Sequence, residues 1–478
     1  MTNSASQETI TAPAAHLVRS LGVRDLTFLS VVAVANINIV PVVAANGPST
    51  VWLWMLALLF FFLPQGIAVV ELSRRFPGEG GLYVWAKQSF GDLHGFLCGW
   101  SYWTTNMFFI PTLLFYFIGL VTYVGGPRLG HMAESPALFA TFTVSLLWLT
   151  AFANILGIGV GKWVNNIGAL GTLVAFAALI ILGAVCISKF GVKLEPGGFR
   201  LHKLDLGVIS SFGVICFGLV GLELGCVMGD EIRNPQKDVP RGVLYGGVLA
   251  GLQYLGATLA LLLAIRQADM KVLQGVLQGV DKMTARLDIN WTLLPLALLI
   301  AMSLVGATSA WLSGSARILF VSGIDRYLPK VFGKLHPKYD TPHIAIIGIA
   351  LLSSLLIGMS FAGSSTVREA YITLIDLAVV LQMISYLYVY AALARAAFGR
   401  DAQPNRRRFW IRFAALSGLC TTGIGMLVAF IPSHQVDSVW RFEIKMVLTC
   451  GAFLGLAAAL FAYYSRQRIP LKSLAAEI

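Results

Sequence analysis

Glu223 lies inside the apolar stretch "FGLVGLELGCV" (Phe217 to Val227), surrounded by Gly218, Gly221 and Gly225. Taking a carboxylate out of water costs several kcal/mol unless hydrogen bonds or a counter-charge meet it. Such a group either binds a cation or a proton, or serves as a structural acceptor for freed backbone donors. The glycines weaken a helix by about 1 kcal/mol each, and Gly218 and Gly221 let the backbone approach a ligand closely. Asp376, in "ITLIDLAVVLQ", poses the same question. It either holds an amine or titrates, or it sits in water at an outer mouth. Asn36 and Asn38 interrupt "VVAVANINIVPVVAANGPS", with Pro41 following. Asn106 and Gln382 are either ligand contacts or hydrogen-bonding links between helices. Trp311 lines a site or packs. Ser309 and Ser313 offer hydroxyls to a cation or give small-residue packing. Asp230, Glu231, Arg233 and Asp325 fall in loops, where their charges suit a salt-bridged inner gate.

The elements that position these residues follow from composition. The 478 residues are 57% hydrophobic and 12% charged, against about 25% charged in soluble proteins. A bilayer crossing needs roughly 20 mostly apolar residues. Twelve such segments fall near 26–48, 50–72, 93–123, 136–156, 164–188, 207–229, 242–265, 290–316, 343–363, 368–396, 409–431 and 443–464. This predicts an all-α polytopic membrane protein; a β-barrel would show short alternating segments instead. Residues 1–25 lack the order of a cleaved signal peptide and read as a cytoplasmic tail, with 465–478 a second tail on the same side. That orientation puts roughly two thirds of the 35 Lys and Arg on the cytoplasmic side, as the positive-inside rule requires. The net charge of +12 is therefore a matter of topology and does not imply a nucleic-acid partner. "RRRFW" at 406–410 is an orientation determinant or a lipid headgroup contact. The loops near 189–206 and 266–289 are too short to build a core. The six cysteines show no metal or disulfide spacing. No nucleophile motif, metal-ligand cluster or phosphate loop appears, so the sequence predicts no enzyme, metal or cofactor.

Two spans, the first and the sixth, carry helix-breaking residues at depth. Backbone freed in this way must be buried in protein or line a cavity. A pair of interrupted spans at corresponding positions points to a midplane site of a secondary transporter.

Longer motifs point the same way. "ELSRRFPGEGGLYVWAKQSFGDLHGFLCGW" (Glu71 to Trp100), "FGLVGLE" followed by "DEIRNPQKDVPRG", and "SGSARILFVSGIDRYLPKVFGKLHPKYDTP" (Ser313 to Pro342) together resemble the amino acid–polyamine–organocation transporters. The resemblance covers about a fifth of the chain, in family order. It implies a leucine-transporter-like, five-plus-five inverted repeat, with residues 26–188 as the first repeat, 207–396 as the second and 409–464 as two additional helices. It implies that Asn36, Ile37 and Asn38, with Phe217, Gly218 and Leu219, hold the substrate through backbone groups. Phe217 also stands where family exchangers place a gating aromatic. Val34, Ala35 and Asn36 replace the family's usual glycine-rich stretch, so unwinding there relies on the Asn pair and Pro41. The Lys of proton-coupled members is missing from "NNIGALGTLVAFAALIILGA" (Asn165 to Ala184), with Lys162 earlier in the chain, which favours exchange.

The expected function is secondary transport of amino acids across the cell membrane by alternating access, in exchange mode. The partners are a small amino acid or amine substrate and the lipid bilayer, with oligomeric state left open. The alternatives are polyamine or organocation uptake, which Asp376 and Glu223 would suit, and a non-transporting amino acid sensor on the same scaffold.

Overall fold

The computed structural model describes residues 20–78, 80–191, 206–325, 327–362, 366–399, 406–431 and 439–466. The two tails outside this range (1–19 and 467–478) and most of the loop near 189–206 thus lie outside the described residues. Among the described residues every named element is helical, and the one β-bridge joins Leu21 to Ile232.

The first segment is α1 (Val23–Val34) followed by α2 (Ile39–Ala44). The second is α3 (Thr50–Ala57) and α4 (Leu63–Arg75), joined by a π-turn at Leu58–Phe62. A short helix, α5 (Leu82–Phe90), leads into the long α6 (Asp92–Gly125) and then α7 (Pro127–Glu134), α8 (Pro136–Ile155) and α9 (Ile158–Phe190). The sixth segment is α10 (Leu206–Gly218) and a single turn, α11 (Leu224–Val227). Then come α12 (Pro235–Ala264), α13 (Gly275–Leu287), α14 (Leu293–Ile324), α15 (His343–Ala362), α16 (Val367–Phe398), α17 (Arg406–Val428) and α18 (Val439–Arg466). Eleven of these helical segments are long and apolar enough to cross a membrane, and the broken sixth contributes the shorter apolar helix Val208–Gly218. The seventh crossing begins at Pro235, earlier than its hydropathy suggested, because Pro235 suits the first turn of a helix.

Irregularities inside the spans are compensated by side chains from neighbouring helices. Pro111 cannot donate to the Met107 carbonyl, and the Ser353 hydroxyl of α15 does so instead at 3.4 Å. Pro64 likewise leaves the Phe60 carbonyl without its usual donor; Ser417 and Thr421 of α17 supply hydrogen bonds at 2.7 and 3.0 Å. Tyr390 of α16 donates to the Phe61 carbonyl at 2.8 Å. In an apolar surround each such group would otherwise cost about 1–3 kcal/mol.

Burial identifies the centre. The first, third and tenth segments are 89%, 78% and 83% enclosed, against 33% for α17 and 17% for α18. The last two helices therefore flank the bundle that holds the broken segments. The loop near 266–289 is more ordered than its length suggested. Its helix α13 buries Val276, Leu277, Val280 and Met283, the spacing of one helical face.

Gly221 combines a positive φ with a close backbone approach at the broken sixth segment. Its φ is +134°, and a Cβ there would stand 3.0 Å from the Ala33 carbonyl carbon. Gly221→Ala is expected to lower stability by about 1–3 kcal/mol, from strain and overpacking together. Thermal unfolding of the purified variant in detergent, next to Gly221→Ser as a second size step, measures this.

Candidate functional site

The first break covers 35–38. The helix cannot run on as before, because Pro41 lacks an N–H and its ring would clash with the carbonyl four residues back. Asn36 takes the place that glycines would otherwise fill. Its Nδ2 donates to the Ala33 carbonyl at 2.6 Å and to the Val34 carbonyl at 3.2 Å, satisfying acceptors at the end of α1. Asn38 donates to the Tyr371 hydroxyl at 3.2 Å, and that hydroxyl lies 3.3 Å from the Asn38 carbonyl. The second break covers 219–223. There the Gly221 N–H donates to Glu223 Oε2 at 3.1 Å.

One side chain joins the two breaks. The Tyr254 hydroxyl, on α12, accepts from the Asn36 N–H at 3.0 Å and lies 2.7 Å from the Val34 carbonyl and 2.9 Å from the Gly218 carbonyl. The Asn36 carbonyl lies farther off, at 3.4 Å. With one proton for three carbonyls, the hydroxyl serves the first break or the end of α10 at any instant. Trp54 stacks on its ring at 4.5 Å between centroids. Trp311 adds a second tie, its indole N–H donating to the Ala33 carbonyl at 3.2 Å.

Aromatic rings pack in a row beside the sixth-span break. Phe217 meets Phe109 edge-on at 4.9 Å, Phe109 meets Trp311 at 5.8 Å, and Trp311 meets Tyr102 at 6.1 Å. Ile37 and Leu219 are fully buried. Asn106 spends its amide on the Tyr102 carbonyl at 2.9 Å, while its Oδ1 has no hydrogen-bond partner. Gln382 is buried with neither amide atom paired, and the Oδ1 atoms of Asn36 and Asn38 are also unpaired.

Glu223 is buried, and its Oε2 accepts from Gln65 at 3.2 Å and from the Tyr386 hydroxyl. Buried Tyr102 stands beside the same carboxylate. Asp376 lies apart from this cluster. It borders a cavity of about 20 Å³ with Asn46, Ser210 and Ser211, room for about one ordered water. Ser309 and Ser313 both donate to Asn154 Oδ1, which gives them a packing role in this conformation.

Two of the four loop charges pair with basic side chains of other elements. Glu231 is buried and pairs with Arg317, which donates to Glu231 Oε1 from two nitrogens at 2.9 and 2.6 Å and to the Ser313 carbonyl at 2.9 Å. Asp325 pairs with Lys87 at 2.7 Å and accepts from Tyr83. Burial, with the Asp325 charge beside it, pushes the Tyr83 phenol well above its ordinary range, so it remains a donor. The Asp230 and Arg233 side chains are exposed. Backbone bonds clip the start of the described chain to this loop: Leu21 donates to the Glu231 carbonyl and Arg233 to the Leu21 carbonyl, both at 2.9 Å. Asp25 and Lys162 form a further pair at 2.9 Å.

Sequence reasoning passed over Tyr254, Phe109, Tyr371, Gln65, Tyr386 and Arg317. A faint signal was present, because a Tyr or Gln deep in an apolar span must find a polar partner. The sequence does not say which partner. Tyr254→Phe keeps the ring and removes the bridge. It is expected to destabilise the protein by about 1–3 kcal/mol and to lower transport at matched expression. Thermal unfolding alongside vesicle uptake measures both.

Residues 21–453 match the amino acid permease family model. An uncharacterized transporter of Legionella pneumophila, lpg1691, is 29% identical over 90% of this chain and 94% of its own length. The probable agmatine/putrescine antiporter AguD of Lactococcus lactis is 24% identical over 73% of this chain and 74% of its own. The branched-chain amino acid permease BcaP of Bacillus subtilis is 24% identical over 71% and 74%. The family match extends from the first broken helix into α18, and the chain belongs to the amino acid permease family of amino acid–polyamine–organocation membrane transporters.

Proposed function

We propose that the protein is a secondary transporter that exchanges amino acids across the cell membrane by alternating access. The supporting observation is the pair of breaks at 35–38 and 219–223, held together by Tyr254 and flanked by Phe217, Phe109 and Trp311. Freed backbone suits both ends of an amphoteric ligand: carbonyls attract an ammonium and helix starts attract a carboxylate. An aromatic face adds about 0.5–2 kcal/mol for a cation, the role assigned here to Phe217. Asn36, Ile37, Asn38, Gly218, Leu219 and Gly221 supply the backbone of the site, with Asn106 and Trp311 on its wall. Glu223 couples the sixth-span break to α4 and α16 through Gln65 and Tyr386.

The repeats proposed are 26–188 and 207–396, with 409–464 added and both termini cytoplasmic. On that side the Glu231–Arg317 and Asp25–Lys162 pairs tie the loop after α11 and the start of α1 to α14 and α9. Both ties must part for the site to open inward. Exchange in place of proton symport is supported by the engagement of Lys162 with Asp25 and by the lack of any Lys in 165–184. Vesicles holding purified protein are expected to take up labelled leucine only when preloaded with a counter-substrate. Strong uptake into empty vesicles, dependent on a proton gradient, would overturn the exchange reading.

Asp376 favours a second reading, a dicationic amine as substrate. Among the described residues Arg317 is the one buried basic side chain, and it is bonded to Glu231. Two carboxylates are buried in the bundle without a basic partner among the described residues, Glu223 within the sixth-span break and Asp376 beside α2 and α10, and AguD is named for agmatine and putrescine. Asp376→Asn is expected to cut putrescine exchange by tenfold or more, about 1.4 kcal/mol, while leucine exchange changes less than about twofold. Equal putrescine exchange in the variant and the wild type would remove Asp376 from the substrate path.

A further inference from the structure

A groove of about 740 Å³ opens on the outer surface of the bundle between the π-turn and α4 of the second segment, α12 and α17. Its volume is in the range of ligand pockets, and its walls are apolar, with Leu63, Val70, Leu244, Leu252 and Trp410 among them. Gly66, Gly247 and Gly251 line it as well, leaving space where side chains would stand. The groove follows the second segment from Leu58 to Arg74, about 24 Å of helix, most of the roughly 30 Å hydrocarbon thickness.

One end of the groove is polar and, among the described residues, holds more basic than acidic side chains. Glu71 receives Arg75 at 2.7 Å and Arg407 at 2.6 Å. Arg74 also lines this end, is exposed, and has no acidic partner among the described residues. Two guanidiniums thus meet the Glu71 carboxylate, and Arg74 adds a third positive charge at the same end of the groove. Arg407 is 62% exposed, and its planar fork has further N–H groups to offer. Guanidiniums bind phosphate through parallel hydrogen bonds. A long apolar trough ending in surplus positive charge matches an anionic phospholipid, acyl chain along the trough and phosphate at the arginines. The groove also reaches Leu222, the residue between Gly221 and Glu223 in the sixth-span break. Leu222 stands within contact distance of where a Cβ on Gly66 or Gly247 would lie.

We propose that this groove is a binding site for one anionic phospholipid, its phosphate held by Arg74 and Arg407 and its chain packed toward Leu222, so that lipid occupancy stabilises the sixth-span break. The proposal does not depend on the transported substrate, and its test reads lipid alone. The purified full-length protein is equilibrated with vesicles of phosphatidylethanolamine and phosphatidylglycerol (3:1), re-extracted in mild detergent, and its retained lipids are quantified by mass spectrometry. The wild type is expected to retain about one phosphatidylglycerol per chain, enriched over the vesicle ratio, and to unfold at higher temperature with that lipid than with phosphatidylcholine. Arg74→Gln, at an exposed position, is expected to lower the enrichment about fivefold, the effect of one basic residue near a membrane surface. Gly247→Leu, which fills the trough and leaves the arginines in place, is expected to lower retention of either lipid. Retention in the vesicle ratio by the wild type, or unchanged enrichment in both variants, would overturn the proposal. So would a specific cross-link between Trp410→Cys residues of two copies with loss of lipid enrichment, which would assign the groove to a second copy of the chain.

Discussion

The Tyr254 hydroxyl holds together the part of this structure that departs from regular helix. Hydrocarbon offers no hydrogen bonds, so a helix interrupted at depth must find internal partners for the groups it releases. Two interruptions side by side give one polar atom the chance to serve both. Tyr254 reaches the carbonyls of Val34 and Gly218 and takes the Asn36 N–H. The close approach this needs is made possible at Gly218, where a Cβ would meet Ile39 at 3.0 Å, and at Gly221 against Ala33. The breaks, the glycines and the tyrosine thus form one unit. A change at any of the three leaves the others under strain or unpaired.

Carboxylates are treated differently along the bundle, and each treatment suits its place. Glu231 is buried with a guanidinium, so both charges are matched and removal of either would leave the other stranded. Glu223 is buried with neutral donors, Tyr386, Gln65 and the Gly221 N–H. All three meet Oε2, while Oε1 is buried without a hydrogen-bond partner among the described residues. Glu71 lies at the polar end of the outer groove, paired with Arg75 and Arg407. Asp376 has beside it a small cavity lined by Asn46, Ser210 and Ser211 together with six aliphatic side chains.

Asn36 illustrates how the first span unwinds without glycine. Family resemblance led to an expectation of glycines at 34–36, and the sequence holds Val34, Ala35 and Asn36. The asparagine amide reaches back to the carbonyls of Ala33 and Val34, supplying locally the bonds that the next helical turn would have made. Pro41 then closes off the option of continuing the helix. Gly221 remains the position where positive φ leaves little choice of residue.

The apolar spans, the broken first and sixth segments and the family are legible in the residues alone, because each rests on local rules: length of apolar runs, proline and glycine chemistry, and the order of short motifs. The carboxylates at depth were legible for the same reason. Which groups meet them was decided only by tertiary structure. Glu231 and Arg317 are far apart in the chain, as are Glu223, Gln65 and Tyr386, and a loop charge reads as able to pair with any opposite charge nearby. The sequence therefore pointed to a salt-bridged inner gate of Asp230, Glu231, Arg233 and Asp325 without naming partners, and packing supplies Arg317 to Glu231 and Lys87 to Asp325. The role of Tyr254 was hidden for the same physical reason: a hydroxyl announces that it needs partners, but only helix packing determines that the ends of two different broken helices come within its reach.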